Sequence, residues 1–424
     1  MAADLASRTM QRASWRIIPL IMVLYFVSYL DRVNIGFAAL TMNKELGITD
    51  EAFGLASGIF FWGYFLFEVP SNIVLEKVGA RIWIARVMIT WGIISGAFAY
   101  VSGPASYYVL RFLLGVAEAG FFPGIVLYLS YWFPAHRRAA VTSLFMAAAP
   151  ISTAIGSPVS AALLQMDNLA GLKGWQWMFV LEALPAVLLG VFVFFFMTDR
   201  PQQAQWLKDD ERRWLVETMD AEIASRKAHG HASLWRGLAD LRVLILAVIY
   251  LGTSAGLYTL GLWAPLLMKS FGLSTTDIGW LNAIPSIIAV VAMYLWSWNS
   301  DRTGERTWHV VIAVLVAAGG LAFAAVAQSV AGVVLALTLV NIGISASKPP
   351  LWSMPTLFLS GTAAAAGIAT INSIGNLGGF VGPYAIGWLK QTTGGYAAGL
   401  LVVAALLVLS AVLTLVLARG QKAS

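Results

Sequence analysis

Cysteine is absent from this chain of 424 residues, which excludes a disulfide framework and any thiolate metal site. Charge is scarce too. Only 11% of residues are Asp, Glu, Lys or Arg, against about 25% in a soluble globular domain. There are four histidines, His136, His229, His231 and His309. All fall at or near predicted loops, and none has a partner at metal-ligand spacing within an apolar segment, so no metal is expected. The sequence has no His-Glu-x-x-His, no Gly-x-Ser-x-Gly and no P-loop. No enzyme activity, catalytic residue or cofactor is therefore assigned. No filter-like loop suggests a channel, and the central polar stretch is too short for a signalling domain.

What is present is apolar length. Hydrophobic residues make up 59% of the chain, and runs of about 20, the length that crosses a bilayer, recur almost throughout. They predict an all-α integral membrane protein of twelve spans near residues 15–40, 51–76, 81–101, 105–132, 138–165, 174–197, 241–269, 275–300, 307–328, 330–358, 361–390 and 396–418. The longest polar stretch separates spans six and seven. It divides the chain into a first half (1–197), a linker (198–240) and a second half (241–424). The first apolar run contains Asp31 and Arg32 and is too long for a signal peptide, so it reads as an uncleaved helix.

The net charge of +6 does not point to nucleic acid. Arg8, Arg12, Lys77, Arg81, Arg137, Arg138, Arg212, Arg213, Arg302, Arg306 and Arg419 fall on one face of this topology. The other face holds Lys44, Lys173, Lys269 and Lys390. Basic excess marks the cytoplasmic side, so both termini and the linker are expected there.

The halves repeat one another. Span two ends in Asn72-Ile-Val-Leu-Glu-Lys-Val-Gly-Ala-Arg81 and span eight in Ser297-Trp-Asn-Ser-Asp-Arg-Thr-Gly-Glu-Arg306. An acid, a base, one residue, glycine, one residue and arginine recur at equivalent places, as a tandem duplication predicts. The pattern resembles the loop signature of the major facilitator superfamily, although Asn72 and Ser297 replace its first glycine and Glu76 its aspartate. The resemblance implies two pseudo-symmetric six-helix halves, a monomer, and a gating role for Glu76, Arg81, Asp301 and Arg306.

Charges also occur inside the spans. Each costs roughly 2.5–3.5 kcal/mol near mid-bilayer, so intramembrane charges tend to face a cavity and pair there. Asp31 lies roughly 24 Å up span one and Arg111 roughly 9 Å down span four, which puts them at similar height in a core about 30 Å thick. Glu118 is two turns after Arg111 on the same face. The expected arrangement has Asp31 and Arg111 at one level and Glu118 deeper. Burial disfavours a charged carboxylate and a neighbouring arginine favours it. A carboxyl beside Arg111 can thus take up or release a proton as the arginine changes partner, and an anionic substrate is a natural alternative partner.

The segment Ser28-Tyr-Leu-Asp-Arg-Val-Asn34 together with Arg111-x-x-x-Gly-x-x-Glu118 is similar to the anion:cation symporter family. That resemblance implies Asp31 and Glu118 as proton sites, Arg111 as their link and Arg32 as the contact to a substrate carboxylate. It also implies substrate contacts by Tyr64 and Asn372, which match positions in galactonate-carrying members. A glutamine that contacts sugar hydroxyls there is replaced near Ala149, which argues against a sugar acid. Tyr29 is a further candidate contact. Lys348, followed by two prolines in span ten, suits a second carboxylate, with snorkelling or pairing to Glu68 or Glu182 as the alternative. Trp352 and Tyr258 are read as an aromatic wall or as packing. Glu68 and Glu182 are read as interfacial or paired with loop bases.

The expectation is a proton-coupled symporter of a small organic anion, a tartrate-like hydroxy-diacid or an aromatic acid, in a bacterial inner membrane. An exchanger or uniporter of the same fold is the alternative.

Overall fold

The computed structural model describes residues 2–228, 240–357 and 361–423. His229, His231 and the rest of 229–239 in the expected linker lie outside the described residues, as does the junction 358–360. Among the described residues the chain is helical apart from turns and one isolated bridge, Leu169 to Leu172.

Eleven helical stretches are long and apolar enough to cross a membrane. The first joins α1 (Ala2–Val33) to α2 (Ile35–Leu46). Then come α3 (Asp50–Val78), α4 (Ala80–Ala97), the pair α5 (Pro104–Glu118) and α6 (Phe121–Trp132), α7 (Ala135–Leu163) and α8 (Gly174–Phe196). A polar helix, α9 (Asp209–Ala228), lies within the stretch expected as linker. The second six spans begin with α10 (Leu241–Lys269), α11 (Thr275–Thr303), α12 (Thr307–Val326) and α13 (Val330–Ser353). The span expected at 361–390 is two helices of 16 residues, α14 (Gly361–Asn376) and α15 (Gly378–Thr393), each too short to cross alone. The chain ends in α16 (Ala397–Ala423). Helices α3, α11 and α13 all start behind a hydroxyl cap. Thr49, Ser274 and Ser329 accept from the backbone N–H of Ala52, Asp277 and Gly332, which satisfies donors the first turn cannot.

Three of the expected spans are interrupted, and each break adjoins a candidate site residue. The first is at Asn34, three residues after Asp31. The second is at Ala119–Gly120, directly after Glu118. The third is at Leu377, five residues after Asn372. Gly120 adopts φ +84°, and a Cβ there would lie 2.3 Å from Ser71 Oγ, so this turn needs glycine for both conformation and space. Backbone groups freed in a bilayer need local partners. Here Ala119 N–H donates to Gly115 O (3.0 Å) and Gly124 N–H to Gly120 O (2.8 Å).

The two sets of six spans meet most closely at the ends remote from the termini. α3 lies against α15 with Gly54 and Gly387 so close that a Cβ on Gly54 would sit 3.1 Å from Gly387 Cα. Small residues permit such approach. Lys390 pairs with Asp50 at 2.6 Å. Asn282 donates to Ser157 (2.9 Å), joining α11 to α7, and Gln165, just past the end of α7, donates to Thr276 of α11 (2.8 Å).

Candidate functional site

The charged residues of the first half gather where α1, α3 and α5 pack. Arg32 is 7% exposed and Glu118 0%. Arg32 donates from NH2 (2.5 Å) and from Nε (3.2 Å) to Glu118 Oε2. Its NH1 donates to the hydroxyl of Tyr258 at 3.0 Å. Tyr258 belongs to α10, so this guanidinium ties the first half to the second. The cation also lies over the rings of Phe60 (5.3 Å) and Tyr64 (5.5 Å), within cation–π range. Tyr29 is buried and packs edge-on against Tyr25 at 6.3 Å.

Asp31 and Arg111 share this neighbourhood but not a bond. Asp31 accepts from Trp91 Nε1 (2.9 Å) and Ser95 Oγ (3.2 Å), both on α4. Arg111 donates to the backbone carbonyls of Ala56 (3.4 Å) and Ser57 (3.3 Å) on α3 and lies 5.1 Å from the Phe60 ring. Arg111, expected at the level of Asp31 and as the link between Asp31 and Glu118, hydrogen-bonds to neither, and the two residues keep separate sets of contacts. Helix rise fixes height but not which neighbour a side chain faces. Asp31 faces α4 and Arg111 faces α3.

Glu68 is neither interfacial nor paired with a loop base. It is 4% exposed and accepts from Asn372 Nδ2 (2.5 Å) and Ser373 Oγ (2.9 Å) on α14. It thus bridges the halves one turn below Tyr64 on α3. Its spacing of four residues from Tyr64, which puts both on one helix face, was the available signal. Glu182 is also buried, at 2% exposure, and accepts from Ser160 Oγ at 2.6 Å.

In the second half, Lys348 is half-buried on α13, and no carboxylate lies within ion-pair distance of it among the described residues. Trp352, one turn on, packs edge-on to Tyr250 of α10 at 4.9 Å, and its buried indole N–H has no hydrogen-bond partner among the described residues. Tyr258 packs on Phe61 at 4.3 Å. It thereby contributes to an aromatic wall while its hydroxyl meets Arg32.

The four candidate gating residues do not pair across the halves. Arg81 N–H donates to Asp199 Oδ1 at 2.7 Å, and its guanidinium stands 3.9 Å from Oδ2. Asp199, at the end of span six, was not singled out from sequence, although it opens the polar stretch after a long apolar run. Arg306 pairs with Asp301 at 2.6 Å and donates to Ser300 Oγ at 2.8 Å. Glu76 is exposed. Nearby, partial burial pushes the Glu305 carboxyl up, but bonds from the Trp308 N–H and from His309 outweigh this and hold it below its usual range.

Two sets of spans, helices broken part-way along and buried charges beside the breaks define a membrane transporter rather than an enzyme. The sequence profile described as Major Facilitator Superfamily matches residues 21–383 and, a second time, 248–423, and the chain belongs to that family. It is 68% identical over 418 residues to a protein of Agrobacterium vitis named "Putative tartrate transporter", covering 99% of this chain and 93% of that one. It is 41% identical to a "Quinolone resistance transporter" of Acinetobacter baumannii, covering 97% and 95%. Among solved structures, a bacterial homologue of the human lysosomal transporter Spinster superposes with a TM-score of 0.78 at 15% identity, covering 96% of this chain and 97% of that one.

Proposed function

We propose that this transporter imports a small carboxylate, a tartrate-like hydroxy-diacid, together with protons. The observation that carries the reading is the Arg32–Glu118 pair. A buried arginine held by one carboxylate can exchange it for another. A substrate carboxylate taking Arg32 would leave Glu118 uncompensated in a water-poor site, and a proton would then neutralise it. Binding of anion and proton would thus be linked in one step. Asp31, which is buried with no ion pair among the described residues, would hold a second proton, and Arg111 would supply positive potential from above. Lys348, Trp352, Tyr64, Tyr29, Tyr258 and Asn372 would complete the substrate's surroundings. The name of the 68%-identical relative supports tartrate over an aromatic acid.

Alternating access would follow from rocking the halves about this level. Glu76, Arg81, Asp301 and Arg306 would latch the termini-bearing face in the alternative state. That face is taken as cytoplasmic from its basic loops, in a bacterial inner membrane.

The test is uptake of labelled tartrate into proteoliposomes. An acidic exterior should drive accumulation and co-movement of protons. Tartrate exchange that ignores the pH gradient would make the protein an exchanger, and absence of tartrate transport would overturn the substrate assignment.

A further inference from the structure

A groove of about 780 Å³ lies away from the central site, along the seam of α1 and α8. Its chemistry changes along its length. At the terminal end stand Arg8, Arg12 and Arg16, spaced one turn apart on α1. Below them the walls are apolar: Pro19, Leu20 and Val23 on α1, and Leu189, Phe192 and Phe196 on α8. Val23 is 47% and Phe192 46% exposed, as suits side chains facing acyl chains. Trp15, 75% exposed, stands beside the arginines, where an indole sits at the level of lipid headgroups.

The basic end is built. Glu211 of α9, fully buried, receives Arg8 Nε (3.0 Å) and Arg12 NH1 (2.8 Å), and Asp210 receives Arg8 NH2 (3.0 Å). These acids fix two arginines in place without cancelling the set, since three cations face two anions. Arg16 is different. Its guanidinium is stacked over Phe196 at 4.1 Å and lies 5.1 Å from the Trp206 ring. One nitrogen donates weakly to Phe196 O at 3.4 Å. Its remaining N–H groups have no acceptor and no ion pair among the described residues. A rigid, partly buried guanidinium with donors to spare, at the top of an apolar groove, matches a phosphodiester above two acyl chains.

We propose that the α1–α8 groove is a binding site for an anionic phospholipid, with Arg16 meeting the phosphate and the apolar walls holding an acyl chain. The occupant is selected by charge. A zwitterionic headgroup brings its own ammonium into a region already in positive excess, whereas an anionic headgroup does not. Because Glu211 ties the first helix to α9, the lipid would brace the entry of span one against the helix that follows span six.

The experiment is native mass spectrometry of the full-length protein in a neutral detergent, titrated with phosphatidylglycerol, cardiolipin and phosphatidylethanolamine. The anionic lipids should bind at least tenfold more tightly than phosphatidylethanolamine. Arg16→Gln should lose roughly tenfold of that affinity, the equivalent of one charge-assisted hydrogen bond, and Arg16→Lys should keep part of it. Val23→Trp, which fills the groove without touching the arginines, should lose a similar factor. Arg302→Gln, at the equivalent end of span eight, should lose nothing. Equal affinity for phosphatidylethanolamine, an equal loss in Arg302→Gln, or unchanged binding in both Arg16→Gln and Val23→Trp would overturn the proposal. So would displacement of the lipid by inorganic phosphate alone, which would mark a free-phosphate site. None of these readouts depends on what the central site carries.

Discussion

Arg32 places two of its N–H groups on a single oxygen of Glu118, and the other oxygen, Oε1, is buried without a hydrogen-bond partner among the described residues. The carboxylate is therefore engaged through one edge only, while the arginine also holds Tyr258 across the halves. Such a pair is well suited to exchange, because Arg32 can release Glu118 without abandoning its tie to the second half.

The first prediction tests that exchange. Glu118→Gln keeps the shape and removes the titratable group. Proton-driven accumulation of tartrate should be lost, while counterflow between equal pH values persists. Arg32→Ala should instead weaken tartrate binding itself, by more than about tenfold, since a buried charge-assisted contact contributes about 1.5–3 kcal/mol. Normal accumulation by Glu118→Gln under a pH gradient would falsify the proton assignment.

The Glu68 bridge makes a separate prediction. One carboxylate serves both Asn372 and Ser373 across the halves, so removing a partner leaves a buried acceptor short, at about 1–3 kcal/mol. Asn372→Ala and Glu68→Ala should each lower the melting temperature. Their combination should cost less than the sum, because each single change already breaks the shared contact. Strict additivity in a double-mutant cycle would mean that the two side chains do not act on each other in solution.

Much of this was legible in the sequence, for physical reasons. Composition and apolar run length set the membrane class. The paired signatures at Glu76–Arg81 and Asp301–Arg306 exposed the duplication. Buried charge singled out Asp31, Arg32, Arg111 and Glu118, which the structure brings into one neighbourhood. Partners were harder, because rise per residue gives depth while azimuth depends on packing. Arg111 consequently found the carbonyls of Ala56 and Ser57 rather than Asp31. The helix breaks at Asn34 and Leu377 were hidden, since neither residue is a strong breaker. The place of Glu68 toward the cytoplasmic end of span two suggests an interfacial side chain, and nothing in the sequence shows that α14 covers it.

A pH prediction concerns the surface turn before α12. The Glu305 carboxyl is held below its usual range in the folded protein. A depressed folded value means that its contribution is present above the unfolded value of about 4.3 and is lost as pH falls through the folded one. Glu305→Gln should therefore lower the melting temperature slightly at pH 7, and the gap to the parent protein should narrow as pH falls below the unfolded value of about 4.3. A gap that persists undiminished in acid would assign the effect to packing.

The last prediction separates gating from stability. Asp301 is largely exposed, 70% for its side chain, and its pairing with Arg306 lies within one half. Exposed ion pairs contribute about 0–1 kcal/mol, so Asp301→Asn should leave the melting temperature nearly unchanged. If Asp301 and Arg306 act in the alternative state, where they would face the other half, the same substitution should slow net uptake severalfold with little change in tartrate affinity. The reason is that a latch formed in one state alters populations, and a group with no differential contact between states cannot shift them. The measurement is initial uptake rate alongside equilibrium binding for Asp301→Asn and Arg306→Gln. Uptake at the parental rate in both variants would reduce the repeated signature to a determinant of topology. A parallel loss of rate and melting temperature would place its role in folding.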